Sequence, residues 1–339
     1  MAGRVVCFGE LLLRLGAPGR QLLLQSPLLE VHVGGAEANV AVALARMGHR
    51  ASMVGAVADN ALGVAALGEL RRHGVDASAV RKVAGRMGLY FLTAGAGQRP
   101  SEVLYDRAHS AFVVAGGGEH DWAELLRGAA WLHVSGVTPA LGQDAADATL
   151  RAMRAARAAG VRVSFDGNFR PKLWQAWNAD PAGILRGLFA QADLVFANER
   201  DIEVVLGRDF VHADPASRFH AAAEAAFAAF PNLRRMAATV REQTNVDHHA
   251  LGALEAVRDG ARHAAPRREV GPIVDRIGTG DAFAAGVLHG ILAGMNDASG
   301  LDFGLAAACL KHSVPGDFNL LGVADIDAYR EGQGFGVRR

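Results

Sequence analysis

Apolar and polar positions along the chain fall into two alternating rhythms. Val5 to Phe8, a short β-branched and aromatic run stopped by Gly9, predicts a buried strand. From Ala36 the segment AEANVAVALARMG is helical in character and closes on Gly48, since glycine accepts the left-handed turn at a helix end. ASMVGAV (51–57) then predicts a strand and ALGVAALGELRRHGVD a helix ending at Gly74. The order repeats with strands over 129–136, 161–166, 193–198 and 235–240, and helices around 143–159 and 217–229. Strands that alternate with helices need crossover connections, so the pattern predicts an α/β fold with a mostly parallel sheet covered on both faces.

Two segments break the rhythm. Residues 11–33 and 86–113 lack a helical period but carry turn-punctuated β patterns, and long structureless loops are uncommon in compact domains. Both predict excursions that together build a small accessory β-sheet. With no internal repeat, low-complexity tail or linker, residues 1–339 read as one domain with a discontinuous β appendage.

Composition narrows the partners. The 339 residues are 50% hydrophobic, enough for a large core. Thirty-five basic residues balance 35 acidic ones, so neither nucleic acid nor an anionic membrane is the expected partner, and a small molecule is. Cys7 and Cys309 form no CxxC pair, which fits a reducing, cytoplasmic setting. The opening MAGRVVCFGE reaches Glu10 and Arg14 too soon for a signal-peptide core, and no apolar run approaches membrane-spanning length.

The richest candidate chemistry is DRIGTGDAFAAG, Asp275 to Gly286. A dinucleotide fingerprint would need glycine where Phe283 stands, and no Gly-Lys-Ser/Thr follows for a phosphate loop of the Walker type. What remains is IGTG leading into a helix that is apolar on nearly every face and therefore buried, whose N-terminal amides and dipole suit an anion. Asp281 at that start either caps the helix, as aspartate does well, or takes a proton from a hydroxyl attacking a phosphoryl group that the amides of Gly278, Thr279 and Gly280 steady. Elsewhere, there is no HExxH, and His248 and His249 read as part of a polar loop without metal-spaced partners.

DRIGTGDAFAAG, together with GGAEANVAVALARMG and VGAVADNALGVAALGELRRHGVD, resembles the ribokinase-like (phosphofructokinase B) sugar kinases over residues 5 to about 322. Ala58 stands where many members have glycine. The resemblance implies a three-layer α/β/α fold with a small β-sheet lid, ATP and Mg²⁺ as co-substrate and metal, a monovalent cation in some members, and Asp281 as catalytic base. Gly34, Gly35 and Asn39 are implied to contact sugar hydroxyls. FDGNFRPKLW (165–174) resembles the Asp-x-Asn-x-Arg-x-x-Leu-Trp segment of 2-keto-3-deoxygluconate kinases, which implies that Asn168 and Arg170 bind substrate, with Arg170 on the sugar-acid carboxylate. A guanidinium suits that task because it meets a carboxylate as a two-pronged fork. GLYFL and VLYDRAHSAF resemble the same group and carry Tyr90, Tyr105 and Arg107 over as lid contacts.

On the nucleotide side the resemblance implies Asn198, Thr239, Arg241 and, in CLKHSVPGDFN, His312. Two departures stand out. Asp201 occupies the place of a family glutamate that orients water on magnesium, and the usual Thr-x-Gly-x-x-Gly loop is replaced by REQTNVDHHALGA after AATV. The expectation is an ATP-dependent 2-keto-3-deoxygluconate kinase acting at the C6 hydroxyl, as a homodimer paired through the lids. A kinase of a neutral sugar or nucleoside, and a non-catalytic sugar or nucleotide sensor, are the alternatives.

Overall fold

A computed structural model describes residues 3–115, 120–177 and 180–332. In chain order its strands are β1 (Arg4–Phe8), β2 (Leu12–Gly16), β3 (Glu30–Gly34), β4 (Ala51–Ala58), β5 (Asp76–Val83), β6 (Gly88–Thr93), β7 (Glu102–Asp106), β8 (Ala129–Ser135), β9 (Arg162–Asp166), β10 (Leu194–Phe196), β11 (Arg235–Gln243), β12 (His249–Val257) and β13 (Arg262–Val270). Nine form one sheet in the order β13-β12-β11-β10-β9-β8-β1-β4-β5, and four form a second in the order β3-β2-β6-β7. From β5 across to β11 the large sheet is parallel; β12 and β13 complete it as antiparallel strands.

Strand alternation sends neighbouring side chains to opposite faces. Val5 and Cys7 therefore pack in the core under helices Ala36–Arg46, Thr279–Ala293 and Asp297–Lys311, while Val6 and Phe8 enter the core under Gln143–Ala158, Pro181–Phe189 and Pro215–Ala229. The chain steps from β1 to β4 and β5, then returns to β8 on the other side of β1 and proceeds to β11. Ligands in open α/β sheets bind outside the carboxyl ends of strands at such a reversal, and the predicted substrate segment follows β9 there.

The excursions at 11–33 and 86–113 supply all four strands of the small sheet. Tyr90 on β6 lies directly opposite Tyr105 on β7. The sequence reading does not anticipate β5, β12 and β13. Edge strands β5 and β13 carry charges along their exposed positions, which removes the apolar run that marks a strand and also discourages edge-to-edge pairing. REQTNVDHHALGA is correspondingly no loop: β11 runs to Gln243, a short turn follows, and His249 opens β12 as a fully buried residue, not part of a polar loop.

Candidate active site

The helix Thr279–Ala293 begins at Gly278, whose left-handed conformation (φ 76°) suits glycine and where an added Cβ would collide with the Asp317 carbonyl. Ala282 N is the first to close the helical pattern, on Gly278 O at 2.9 Å, which leaves the amides of Thr279, Gly280 and Asp281 without helical partners. Thr279 Oγ1 pins the turn by donating to the Arg276 carbonyl at 3.1 Å. The N-cap position is Gly278, and among the described residues no side chain caps this helix start, so Asp281 is not its cap. Its carboxylate instead accepts from Asn39 Nδ2 at 2.6 Å. Burial pushes the Asp281 carboxyl up to about 7; the Asn39 hydrogen bond opposes the shift and Glu37 adds to it.

Buried charge lies behind this turn. Asp317 accepts from the Tyr90 hydroxyl at 2.7 Å and faces Arg14 Nε at 3.2 Å, while Arg14 Nη2 donates to Asp275 at 2.7 Å. Asp275 also accepts from the amides of Ile277 at 2.9 Å and Gly316 at 3.0 Å. Arg14 and Tyr90 belong to the small sheet, so these bonds fasten that sheet to the anion turn. Burial pushes the Asp317 carboxyl up to about 6 against the pull of Arg14. Arg107, just beyond β7, pairs with buried Glu10 at 2.6 Å, and Ser110 donates to the other Glu10 oxygen. Glu37 accepts from Ser135 N at 3.0 Å, Ser135 Oγ at 2.7 Å and Thr138 Oγ1 at 2.9 Å.

In front lies a cleft of about 830 Å³. Asn39, Tyr90, Tyr105 and Arg107 line one side, with Gly35; Asn168, Arg170, Asn198 and Asp201 line another; Thr239, Arg241 and the Gly278–Asp281 turn complete it. Gly34 sits behind that surface, with its Cα against the Asp317 carboxylate. His312 does not line the cleft either: it is buried, its Nε2 3.0 Å from His249 Nε2 and its Nδ1 bonded to Ala308 O at 2.7 Å.

Asp166, at the end of β9, accepts from Asn168 Nδ2 at 3.2 Å, and Asn168 adopts positive φ (41°), which asparagine tolerates. Burial pushes Asp166 up to about 8; Asp281 adds to the shift and Arg170 opposes it. Arg170 is exposed at the mouth, and among the described residues its side chain donates only to its neighbour's carbonyl, Phe169 O, at 3.4 Å. Asn198 is a helix cap, its side chain accepting from the amides of Arg200 and Asp201, while Asp201 accepts in return from Asn198 N at 2.9 Å. Both residues face the cleft with those atoms already engaged.

Sequence reasoning singled out neither Glu37 nor Asp317, and took Glu10 and Arg14 only as charges that interrupt an apolar start. The usable signal was a charge inside an apolar run, as in FGELLLRLG and AEANVAVALA, because such residues are almost never buried unless paired.

Residues 2–320 match the pfkB family carbohydrate kinases. A 2-dehydro-3-deoxygalactonokinase of Haloferax volcanii is 33% identical over 339 residues, covering 100% of both chains. A 2-dehydro-3-deoxygluconokinase of Bacillus subtilis is 31% identical over 85% of this chain and 82% of that one. A crystal structure of a 2-dehydro-3-deoxygluconokinase from Thermotoga maritima superposes with a TM-score of 0.91 at 38% identity, covering 97% of this chain and 100% of that one.

Proposed function

The chain belongs to the pfkB family of carbohydrate kinases, with the ribokinase-like fold, and from that premise we propose that it moves the γ-phosphoryl group of ATP onto the C6 hydroxyl of 2-keto-3-deoxygluconate, the 2-dehydro-3-deoxygluconate of its relatives' names. The observation that carries the proposal is Asp281: a buried carboxylate at a helix start, held by Asn39, relieved of any capping role and poised near neutral pH. Asp281 takes the C6 hydroxyl proton as that oxygen bonds to the γ-phosphorus, and the bond to the bridging oxygen breaks to leave ADP. The amides of Gly278, Thr279 and Gly280 steady charge on the transferring group. Arg170 meets the far carboxylate of the substrate as a fork.

Two buried acceptors support a polyhydroxy ligand. Asn39 Oδ1 and Asn168 Oδ1 have no hydrogen-bond partner among the described residues, although the other end of each amide is engaged; a sugar hydroxyl satisfies such an atom. The small sheet, carrying Tyr90 and Tyr105, covers the reacting end and keeps water from competing for the phosphoryl group. Thr239, Arg241 and Asn198 are the nucleotide side of this reading.

The cleft also suits a magnesium ion, a hard cation that takes oxygen ligands and keeps waters. Asp166 offers a carboxylate beside Asp281 and Asp201, whose mutual repulsion a cation relieves. Asp166 would hold the ion's water shell, with Asp201 behind it, and the bound ion would neutralise phosphate oxygens. A second copy of the chain is the partner we read for the lid: Leu24, Leu28, Val31 and Leu104 of the small sheet and its loop are exposed, and β3 and β7 are open edges. Gel filtration at the dimer mass is the expected result, and a monomer refutes it.

The deciding experiment for the reaction is ADP production with 2-keto-3-deoxygluconate, its galactonate epimer and fructose. Turnover of the two sugar acids above fructose supports the proposal; equal or better turnover of fructose removes the acid-binding role of Arg170.

A further inference from the structure

Lys311 is the most anomalous side chain outside the chemistry assigned so far. It ends the helix Asp297–Lys311 with 0% of its surface exposed. Burying an ammonium is strongly unfavourable unless its donors are met, and a methionine would fill the same space without that penalty. Here Nζ donates to the carbonyls of Val314 at 2.9 Å and Gly316 at 2.8 Å. The Lys311 stem lies 3.4 Å from the point where a Cβ on Gly278 would stand.

The segment it gathers is structurally central. Gly316 N bonds to Asp275, Asp317 receives Tyr90 and Arg14, and the Asp317 carbonyl abuts Gly278. Burial pulls the Lys311 ammonium down to about 8, and Arg14 adds to that pull, while Asp275, Asp317 and Asp281 oppose it and favour the charge. Carbonyls converging beside carboxylates are what a bare monovalent ion would seek. In this chain the two carbonyls are already engaged by N–H donors on a covalently attached ammonium, so the cradle does not fit an added ion.

We propose that Lys311 is a positioning residue, a built-in cation that holds the 314–317 segment against the Gly278–Gly280 turn and makes the kinase independent of any monovalent metal ion. Ammonium and K⁺ are similar in charge and size, so removing the side chain should turn an independent enzyme into a dependent one. The inference rests on the kinase reading for its rate measurements, whereas thermal unfolding tests it without any substrate.

The parent protein is dialysed into choline chloride and compared with KCl at equal ionic strength, by turnover and by melting temperature. Both are expected to be unchanged. Lys311→Ala, which leaves room for an ion, and Lys311→Met, which keeps the volume without the charge, should each lower kcat in choline by about 10–100-fold while leaving the sugar KM within about threefold, the size of loss expected when reacting groups are misplaced. KCl or NH4Cl should restore turnover and raise the melting temperature of Lys311→Ala, and should do neither for Lys311→Met. A parent protein that requires K⁺, a Met variant as active as the parent in choline, or a folded Ala variant that no monovalent cation restores overturns the proposal. If the Ala variant does not fold, the parent and the Met variant still decide it. If no sugar is turned over, the substrate reading fails, and the melting temperatures alone judge Lys311.

Discussion

At the floor of the cleft, Tyr90, Asp317, Arg14 and Asp275 form a continuous line of three contacts between 2.7 and 3.2 Å, buried or nearly so. At its rim, Arg170, Arg241 and Arg276 line the same cleft, and none of them has a described carboxylate within ion-pair distance. The floor therefore sets its charges before any ligand arrives, which is how a site stabilises developing charge without reorganising during reaction. On the proposed reading, the rim would leave its charges to be met by ligand anions, a carboxylate on one side and phosphates on the other. Floor substitutions should act on kcat, and rim substitutions on affinity and on the choice of substrate.

The largest break of that contrast is expected from Asp281→Asn. Loss of a general base lowers kcat by about 10²–10⁴-fold, while sugar binding, followed by calorimetry, stays near that of the parent because Asn39 still finds an oxygen partner. Equal turnover by variant and parent would remove Asp281 from the mechanism. Arg170→Ala comes next. Loss of a charge-assisted hydrogen bond, about 1.5–3 kcal/mol, corresponds to roughly 10–100-fold in kcat/KM on sugar acids, with fructose unaffected. Unchanged kinetics on the acids would place the carboxylate elsewhere.

pH separates the two regions further. With Asp281 pushed up to about 7, kcat/KM should fall toward acid below about pH 7, approaching tenfold per unit as the base is protonated. A carboxyl whose folded pKa is raised contributes stability that is fully present below its ordinary range near 4 and is lost as pH rises through about 7. Asp281→Asn should accordingly be more stable than the parent at pH 8, by up to about 4 kcal/mol, and the two melting temperatures should converge in acid. A flat difference between the two proteins across pH 4–8 would show that Asp281 is not held near neutrality.

The same division governs how much could be read from sequence. Rim and turn residues lie in short local strings: Asp166, Asn168 and Arg170 within five positions, and Gly278 to Asp281 within four. A local string carries its chemistry openly, as did the strand and helix rhythm of the parallel sheet. The floor is assembled from residues remote in sequence, with Arg14 meeting Asp275 across 261 positions and Asn39 meeting Asp281 across 242. No spacing rule reports such partners, and Glu10, Arg14 and Glu37 showed themselves only as charges in apolar runs. His312 was drawn to the nucleotide side by its neighbours in sequence, yet its ring turns inward onto His249, a choice set by packing between β12 and the end of a helix.

Asp201 offers the finest test, because it lies at the rim but is bonded like a floor residue. Its carboxylate accepts from Asn198 N while the Asn198 side chain accepts from the amides of Arg200 and Asp201, a reciprocal box that closes the start of the helix Glu199–Leu206. A carboxylate so engaged has little freedom to follow a ligand, and the glutamate expected at this place in the family would reach one methylene further. Asp201→Asn keeps an oxygen acceptor for Asn198 N and removes only the charge, so turnover at saturating Mg²⁺ should stay within about threefold of the parent, with a stability loss of about 0.5–1 kcal/mol from the weakened cap. A Mg²⁺ titration separates the two roles of the residue. An unchanged half-saturating concentration assigns Asp201 to the helix start and leaves Asp166 as the carboxylate facing the metal, whereas a large increase would make Asp201 a rim residue in function as well as in place.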